Sequence, residues 1–409
     1  MARINSKHIK MKRIFLSLTF CIPILLTAQN TTNSPGSMFG LGELSTGEGG
    51  QFAGFGGAGI ALQDASFLNT ANPASLTGLT EQRFVFDAGI MGAYKSYTQT
   101  GISNNSIVGN LNNLSIGCRI IPRWYGAIFL APVSSVGYAI TLDQEIEGTS
   151  GSTISSFFEG AGYLSKIGLS NAFLISKNLS LGINLSYVTG TITQSETQGS
   201  ATIEESSYKH AFYADFGIQY KLPITRDKYV MLGATYGYSQ HLTQDNELTA
   251  SSSSSSETIE KSQKSYSQYL PQFIGMGVSY NSLRWIATAD YKYVDWSRMK
   301  SSQSTISFAN QHQLAAGVAY TVNNPYKKPI KLLLGTGFSN PYIAIKKQKA
   351  QNYYISTGAN FTTRNSNVVS IGLKYNDQFN IPAGLPREKG LTLFFNISFS
   401  ERTYRAKLQ

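Results

Sequence analysis

The sequence predicts an all-β protein, an antiparallel transmembrane β-barrel of about 14 strands with an N-terminal hatch, or plug, inside its lumen. From Arg83 onward, apolar and polar residues alternate with a period of two, as in strands that face lipid on one side. Charged residues make up 14% of the 409 residues, against about 25% in typical soluble proteins. After the N-terminal region, no run approaches about 18 apolar residues, so the sequence excludes transmembrane helices.

Residues 1–28 have the pattern of a secretory signal peptide. A basic region, an apolar core and a small residue at the cleavage point follow one another: Lys10, Lys12 and Arg13, then 14–26, then Ala28. Either Met1 or Met11 is a plausible start. Removing this segment takes away five basic residues and no acidic one, so the formal net charge falls from +11 to +6. Because that charge is modest and dispersed, no nucleic-acid partner is expected.

Residues 29–82 are predicted to form the hatch. This stretch is only weakly periodic, and it is densest in glycine between 49 and 79. Glycine permits close backbone approach and positive φ angles, which a compact plug requires. Pro73 restricts Asn72 to extended backbone conformations. We therefore expect this segment to fill the barrel and the alternating residues 83–402 to form its wall, followed by a periplasmic tail at 403–409.

The alternating part of the chain divides into an even number of runs, as bacterial barrels require. We expect strands near 83–98, 108–121, 124–143, 153–175, 179–196, 205–222, 227–247, 258–280, 283–298, 305–323, 328–344, 350–362, 365–378 and 388–402. Tight connections alternate with longer polar ones. Outer-membrane barrels have short periplasmic turns and long external loops. We therefore expect the protein to lie in the bacterial outer membrane with both termini in the periplasm. Tyr220, Tyr280 and Tyr320 precede short turns, where an aromatic girdle is expected.

Five charged residues occupy positions that should face the lumen: Asp215, Arg284, Asp290, Lys292 and Lys374. A charge facing lipid costs about 2–4 kcal/mol at the bilayer midplane, which favours the inward orientation whatever the function. These side chains would hydrate the lumen, tether the hatch or line a ligand route, and the first two roles are favoured. Lys374 is the best candidate to meet a ligand carboxylate, on charge type alone.

The sequence motifs indicate neither catalysis nor cofactor binding. Residues 54–59 match the pattern GxGxxG, but no βαβ unit surrounds them, so no cofactor is expected. The histidines after the signal are His210, His241 and His312, and no nucleophile elbow accompanies them. No cysteine and histidine spacing indicates a metal site. We therefore predict that the protein is not an enzyme.

The glycine-rich stretch resembles the N-terminal hatch of the FadL family, whose members carry long-chain fatty acids and other hydrophobic molecules across the outer membrane. The resemblance lies in the glycines from Gly54 to Gly59, the residues ALQDA at 61–65, and the triplet 72–74. With Met38-Phe39-Gly40-Leu41-Gly42 upstream, it is most similar to the Bacteroidetes branch. It implies a hatch filling the lumen, built around Gly56, Gly57, Gly59, Asn72, Pro73 and Ala74.

The same resemblance implies that a ligand leaves sideways through the wall, since the lateral opening of FadL is associated with a kink in its third strand. Here the third expected strand contains Pro132, followed closely by Ser134 and Ser135. Proline cannot donate to a strand ladder, so Pro132 should produce a bulge or a break. These three residues are the candidate lateral gate. The alternative is that Pro132 begins a new strand segment.

The resemblance favours passive uptake of hydrophobic small molecules such as long-chain fatty acids. A ligand would enter at the external loops, pass above the hatch and leave near Pro132. Outer-membrane lipid and lipopolysaccharide would surround the barrel. The alternative is a FadL-like barrel that transports nothing and acts as a subunit of an outer-membrane secretion or assembly complex, with outer-membrane proteins or lipoproteins as partners.

Overall fold

The computed structural model describes residues 32–45, 51–99, 101–145, 153–252, 258–262, 268–301, 304–363, 366–382 and 385–402. The predicted signal peptide and the tail at 403–409 lie outside these ranges. The chain forms a closed antiparallel barrel of 14 strands, which confirms the predicted fold class. No helix within the described ranges is long and apolar enough to cross a membrane.

Twenty strand segments make up the sheet structure in the described ranges. They are β1 (Glu43–Leu44), β2 (Arg83–Gln99), β3 (Ile102–Ile121), β4 (Trp124–Glu145), β5 (Thr153–Leu174), β6 (Leu179–Gln198), β7 (Ala201–Thr225), β8 (Lys228–Gly237), β9 (Gln240–Ser252), β10 (Thr258–Ser262), β11 (Gln268–Leu270), β12 (Gln272–Asn281), β13 (Trp285–Asp295), β14 (Ile306–Phe308), β15 (Gln311–Thr321), β16 (Ile330–Ser339), β17 (Ile343–Ile345), β18 (Gln351–Thr362), β19 (Val368–Phe379) and β20 (Arg387–Arg402).

The wall follows chain order and closes where β2 pairs with β20. Segments β8 and β9 form one wall strand, and β10, β11 and β12 form another. Among the described residues, β14 and β17 form a separate two-stranded sheet in the connections that follow β13 and β16. The expected strands at 305–323 and 328–344 were therefore too long, because their outer ends belong to this separate small sheet.

The period of two separates an apolar outer face from a polar inner face. On β6, Leu181 and Leu185 point outward and are 39% and 48% exposed. Ser180, Asn184 and Ser186 alternate with them and are buried. The apolar outer face is the pattern expected of strands that contact lipid.

Residues 51–82, called the inner segment below, pack against inward-facing wall residues. The segment contains a short α-helix (Gln51–Gly54) and a 3-10 helix (Pro73–Gly78). Wall glycines admit its backbone: a Cβ atom on Gly317 would lie only 2.6 Å from the carbonyl oxygen of Phe55. The wall at this level therefore fits the inner segment at atomic contact distance.

Two connections on the long-loop side fold toward the chain's N-terminal residues. Trp296, after β13, stacks on Tyr342, after β16, with ring centroids 4.3 Å apart. Both belong to a buried apolar cluster with Leu41 and wall residues such as Val136 and Val188. Apolar packing between loops, wall and N-terminal residues thus occupies part of this half of the barrel.

Candidate functional site

The wall separates between β3 and β4. These strands pair only from Leu114 opposite Leu130 to the turn at their short-turn ends. Over the described residues of both strands, no pairing joins 102–113 of β3 to 131–145 of β4. We call this unpaired stretch the seam.

Pro132 lies at the point where the seam begins. Opposite β5, the register of β4 shifts between Pro132 and Ser134, so Val133 is an extra residue in the ladder. The strand nevertheless runs unbroken from Trp124 to Glu145. The irregularity expected at Pro132 is therefore present as a bulge within a strand, rather than as the start of a new one.

Residues 32–45, called the edge segment below, cover the β4 side of the seam. β1 pairs with β4, placing Leu44 opposite Ser134 and Glu43 opposite Ser135. The amide of Ser45 also donates to the carbonyl oxygen of Val133, 2.9 Å away. The predicted gate residues thus contact the N-terminal part of the chain directly.

An ionic cluster holds the edge segment against the wall. The Lys95 ammonium on β2 forms an ion pair with Glu43 and lies 3.3 Å from a carboxylate oxygen of Glu388 on β20. The Thr32 hydroxyl donates to Glu43 as well. Burial opposes ionisation of Glu43, but the Lys95 ammonium outweighs it and holds the pKa of Glu43 below its usual value.

A cavity of about 1780 Å³ lies inside the barrel beside the seam. Its lining is largely apolar and includes Phe129, Phe273 and Phe394. Ile90 and Leu111 also line it, although these residues are 46% and 40% exposed and lie on the wall next to the seam. The cavity therefore extends from the lumen to the outer side of the wall.

Three of the lysines that line this cavity lie over aromatic rings. The ammonium of Lys292 lies 4.0 Å from the ring centroid of Phe273, and that of Lys374 lies 4.2 Å from Tyr354. The Lys166 ammonium lies 5.7 Å from the Phe129 ring. Such cation–π contacts keep the charged groups against apolar surface. Sequence reasoning missed Lys166, although it shares the inward register of β5 with Ser170 and Gly168.

Asp290 connects β13 to the inner segment. One of its carboxylate oxygens accepts hydrogen bonds from the amides of Gly59 and Ile60, at 2.6 and 2.7 Å. Asp215 is buried and accepts from the Asn184 side chain at 2.8 Å. Both aspartates therefore occupy the inner face. The hydrogen bonds of Asp290 tether the inner segment to the wall, which is one of the roles that the sequence analysis considered for the lumen charges.

Asn72 organises the next part of the inner segment. Its side-chain oxygen accepts from the amide of Ala74 at 3.1 Å and caps the 3-10 helix that begins at Pro73. Its side-chain nitrogen donates to the carbonyl oxygens of Ile60 at 2.7 Å and Ile218 at 3.2 Å. One buried amide thus joins two parts of the inner segment to β7.

Gly56 and Gly57, two glycines of the expected hatch, lie in a turn that contacts the wall. Gly56 and Gly57 have φ angles of 67° and 79°, in the region that favours glycine. The amide of Gly56 donates to the Ser356 hydroxyl at 3.0 Å, and its carbonyl accepts from the Tyr354 hydroxyl at 2.8 Å. These bonds attach the turn to β18.

Arg284 does not lie where the sequence analysis expected it. It occupies the exposed turn between β12 and β13, because β13 begins only at Trp285. The alternation of the strand does not extend into this turn, so the guanidinium is not an inward-facing group. The structure places Asp215, Asp290, Lys292 and Lys374 on the inner face but leaves Arg284 at the rim.

The family model named BamG matches residues 10–407 of the sequence. The chain belongs to the BamG family. No curated protein is significantly similar to this BamG-family chain in sequence. Its expected placement in the Bacteroidetes branch stays a prediction.

Several solved structures share the barrel architecture of this BamG-family protein. The toluene transporter TodX of P. putida has a TM-score of 0.61 and 14% sequence identity, and the match covers 88% of this chain and 100% of the TodX chain. The CymD monoaromatic hydrocarbon channel has a TM-score of 0.58 and 16% identity, over 88% and 99%. A Pseudomonas aeruginosa FadL homologue has a TM-score of 0.57 and 14% identity, over 88% and 98%. At these identities the likeness establishes the fold, which is that of FadL-type barrels.

Proposed function

We propose that this BamG-family barrel lies in the outer membrane and lets hydrophobic small molecules cross it passively, with exit through the seam between β3 and β4. The observation that carries the proposal is the cavity that runs from the lumen to Leu111, on the unpaired edge of β3, and to its neighbour Ile90 on β2. An apolar solute would remain on apolar surface along this route and would enter lipid without crossing water. The role requires no catalysis, cofactor or metal.

The fold relatives support the kind of ligand. Proteins with the same architecture are described as a toluene transporter, a monoaromatic hydrocarbon channel and a FadL homologue. Long-chain fatty acids fit the same route, with Lys292 or Lys374 meeting the carboxylate and Phe273 contacting the hydrocarbon chain. Lys292 suits that role better than the sequence suggested, because it lies directly over an apolar ring of the cavity.

The two N-terminal segments would have separate roles. The inner segment, whose backbone is bonded by Asp290 and Asn72, would close the short-turn side of the lumen. The edge segment covers the free edge of β4 and would act as the movable part of the gate formed with Pro132, Ser134 and Ser135. With the short turns periplasmic, the C-terminal strand end at Arg402 lies on the periplasmic side.

Removal of the bulge tests the exit route. A variant with Pro132→Val and Val133 deleted restores an even ladder between β4 and β5 without changing which residues face inward. The matched control is Pro223→Val with Ile224 deleted, since β7 has a comparable proline bulge there, away from the seam. Uptake of fluorescent fatty acid and of labelled toluene into proteoliposomes should fall at least several-fold in the first variant only. Undiminished uptake in that variant would reject the seam as the exit.

One observation favours the second candidate, a non-transporting subunit of an outer-membrane complex. The cluster around Trp296, Tyr342 and Leu41 fills part of the long-loop half of the barrel. Such packing would obstruct entry if it persists in the membrane. Purification in mild detergent distinguishes the two: a stoichiometric protein or lipoprotein partner together with no uptake by the isolated barrel favours the subunit role.

A further inference from the structure

The exposed charged side chains of the short turns are predominantly basic. Seven of them, called the basic ring below, are Arg123, Lys177, Arg226, Lys228, Arg284, Lys327 and Lys328. In the described part of these turns, Asp227 is the one exposed acidic residue beside them. These turns therefore present a positive surface that the lumen and the seam do not explain.

The basic ring extends around the greater part of the barrel, from the β3–β4 turn to the β15–β16 turn. Its members lie in the turns between β3 and β4, β5 and β6, β7 and β8, β12 and β13, and β15 and β16. A protein partner that docks on one side would need positive charge on that side alone. Charge spread over five successive turns is instead complementary to a layer that surrounds the barrel on all sides.

Aromatic residues locate that layer. Tyr220, Tyr280 and Trp285 lie at the short-turn ends of their strands, and they are 42%, 36% and 50% exposed on the outer face. Exposed aromatic side chains of membrane barrels mark the interface between hydrocarbon and headgroups. The basic ring lies beyond these aromatic residues along the strands, so we expect it at the height of the phosphate groups.

The turn between β15 and β16 holds its charges in a fixed arrangement. The Asn323 side chain donates to the carbonyl oxygen of Lys328 at 2.7 Å and accepts from the amide of Ile330 at 2.8 Å. Tyr326, 77% exposed, projects from the same turn beside Lys327. Two ammonium groups and a phenol are thus presented together on a backbone that is already ordered.

We propose that the basic ring binds the headgroups of anionic phospholipids in the leaflet that the short turns face. The phosphate and its net negative charge are the groups recognised. Lysine and arginine near an anionic leaflet attract it electrostatically, and salt screens the attraction. The proposal does not depend on transport, since the basic ring lies outside the cavity and the seam.

The test compares two variants with equal charge change. The ring variant carries Arg226→Gln, Lys228→Gln, Lys327→Gln and Lys328→Gln. The control variant carries Arg298→Gln, Lys300→Gln, Lys346→Gln and Lys347→Gln, which neutralises one arginine and three lysines, all exposed, at the long-loop end. Each full chain is reconstituted in equal parts phosphatidylcholine and phosphatidylglycerol and extracted gently. Native mass spectrometry then counts the retained lipids, and heat-modifiable gel mobility confirms folding.

We expect the unmodified protein to retain phosphatidylglycerol several-fold over phosphatidylcholine, with an enrichment that decreases as salt increases. The ring variant should lose about two-thirds of the enrichment and the control variant almost none, as expected for charges near an anionic surface. Equal enrichment in all three proteins, or equal loss in both variants, would overturn the proposal. It would also be overturned if a poly-glutamate probe bound through the basic ring while lipid enrichment stayed unchanged, since the surface would then dock an acidic protein.

Discussion

The two N-terminal segments are held in the barrel by different forces. The inner segment is fixed by directional hydrogen bonds from buried wall side chains, including Asp290, Ser356 and Gln219. The edge segment depends on a two-residue strand, one ionic cluster, apolar contacts with loops, and hydrogen bonds with Tyr342 and Gly137. Buried hydrogen-bonded groups are costly to separate, whereas a short edge pairing is not. We therefore expect the edge segment to move more readily than the inner segment.

Loss of the Asp290 tether should have the largest effect. Asp290→Ala leaves the buried amides of Gly59 and Ile60 without their acceptor, at about 1–3 kcal/mol for each donor. We expect the inner segment to loosen, with lower stability to urea in micelles and a higher ion conductance in planar bilayers. Asp290→Asn keeps an acceptor oxygen and serves as the control. Unchanged conductance in the alanine variant would show that Asp290 does not hold the lumen closed.

Crowding at Gly317 should have the next largest effect. A valine there would overlap the backbone of Phe55, and overpacking of this kind typically costs about 1–3 kcal/mol. Gly317→Val should therefore lower the urea midpoint and raise conductance in the same direction as Asp290→Ala. Gly92→Ala is the matched control, because the nearest atom to its added Cβ would be 4.0 Å away. Equal effects of the two substitutions would remove the argument for close docking at Gly317.

A smaller effect is expected at the long-loop half. The Tyr342 hydroxyl donates to the carbonyl oxygen of Gly42 at 2.6 Å and accepts from the amide of Leu41 at 3.1 Å. Tyr342→Phe should cost about 1–2 kcal/mol and speed hydrogen exchange in the edge segment, with conductance unchanged. Tyr326→Phe, on an exposed turn, is the control. Faster exchange in the inner segment as well would contradict the independence of the two segments.

The smallest effect on stability should come from the ionic cluster. Glu43→Gln removes the ion pair with Lys95, but the Glu43 side chain is 36% exposed, so solvent screening should keep the loss below about 1 kcal/mol. We expect faster exchange of the Ser45 amide and faster ligand uptake. Because the pKa of Glu43 is lowered on folding, the stabilisation is present above its usual pKa and is lost in acid as the pH falls through the lowered value. Slower uptake in the glutamine variant would contradict this assignment.

The wall was predictable because one local pattern determines it. Alternation along β6 predicts both the strand and the direction in which each side chain points. Pro132 has no amide proton to donate to the ladder, which predicts the bulge. The error at Arg284 came from extending the same alternation beyond the strand end. The same alternation along β5 predicts that Lys166 faces inward, so it could have been included with the lumen charges.

The contacts between distant parts of the chain were not predictable. Glu43 and Lys95 are 52 residues apart, and no local pattern pairs them. The small sheet of β14 and β17 joins two connections whose sequences read as continuations of wall strands. The separation of β3 from β4 beyond Leu114, and the pairing of β1 with β4 beside it, involve segments that are far apart in the sequence.

Photo-crosslinking with a diazirine-bearing fatty acid tests the central claim most directly. In proteoliposomes, the account predicts adducts at Phe273 inside the cavity and at Leu111 and Ala131 along the seam, with the seam adducts reduced when the Pro132 bulge is removed. Leu185, on the outward face of β6, reports labelling from the lipid phase. Adducts at Leu185 without any at Phe273, or seam adducts that persist unchanged after removal of the bulge, would contradict transport through the seam.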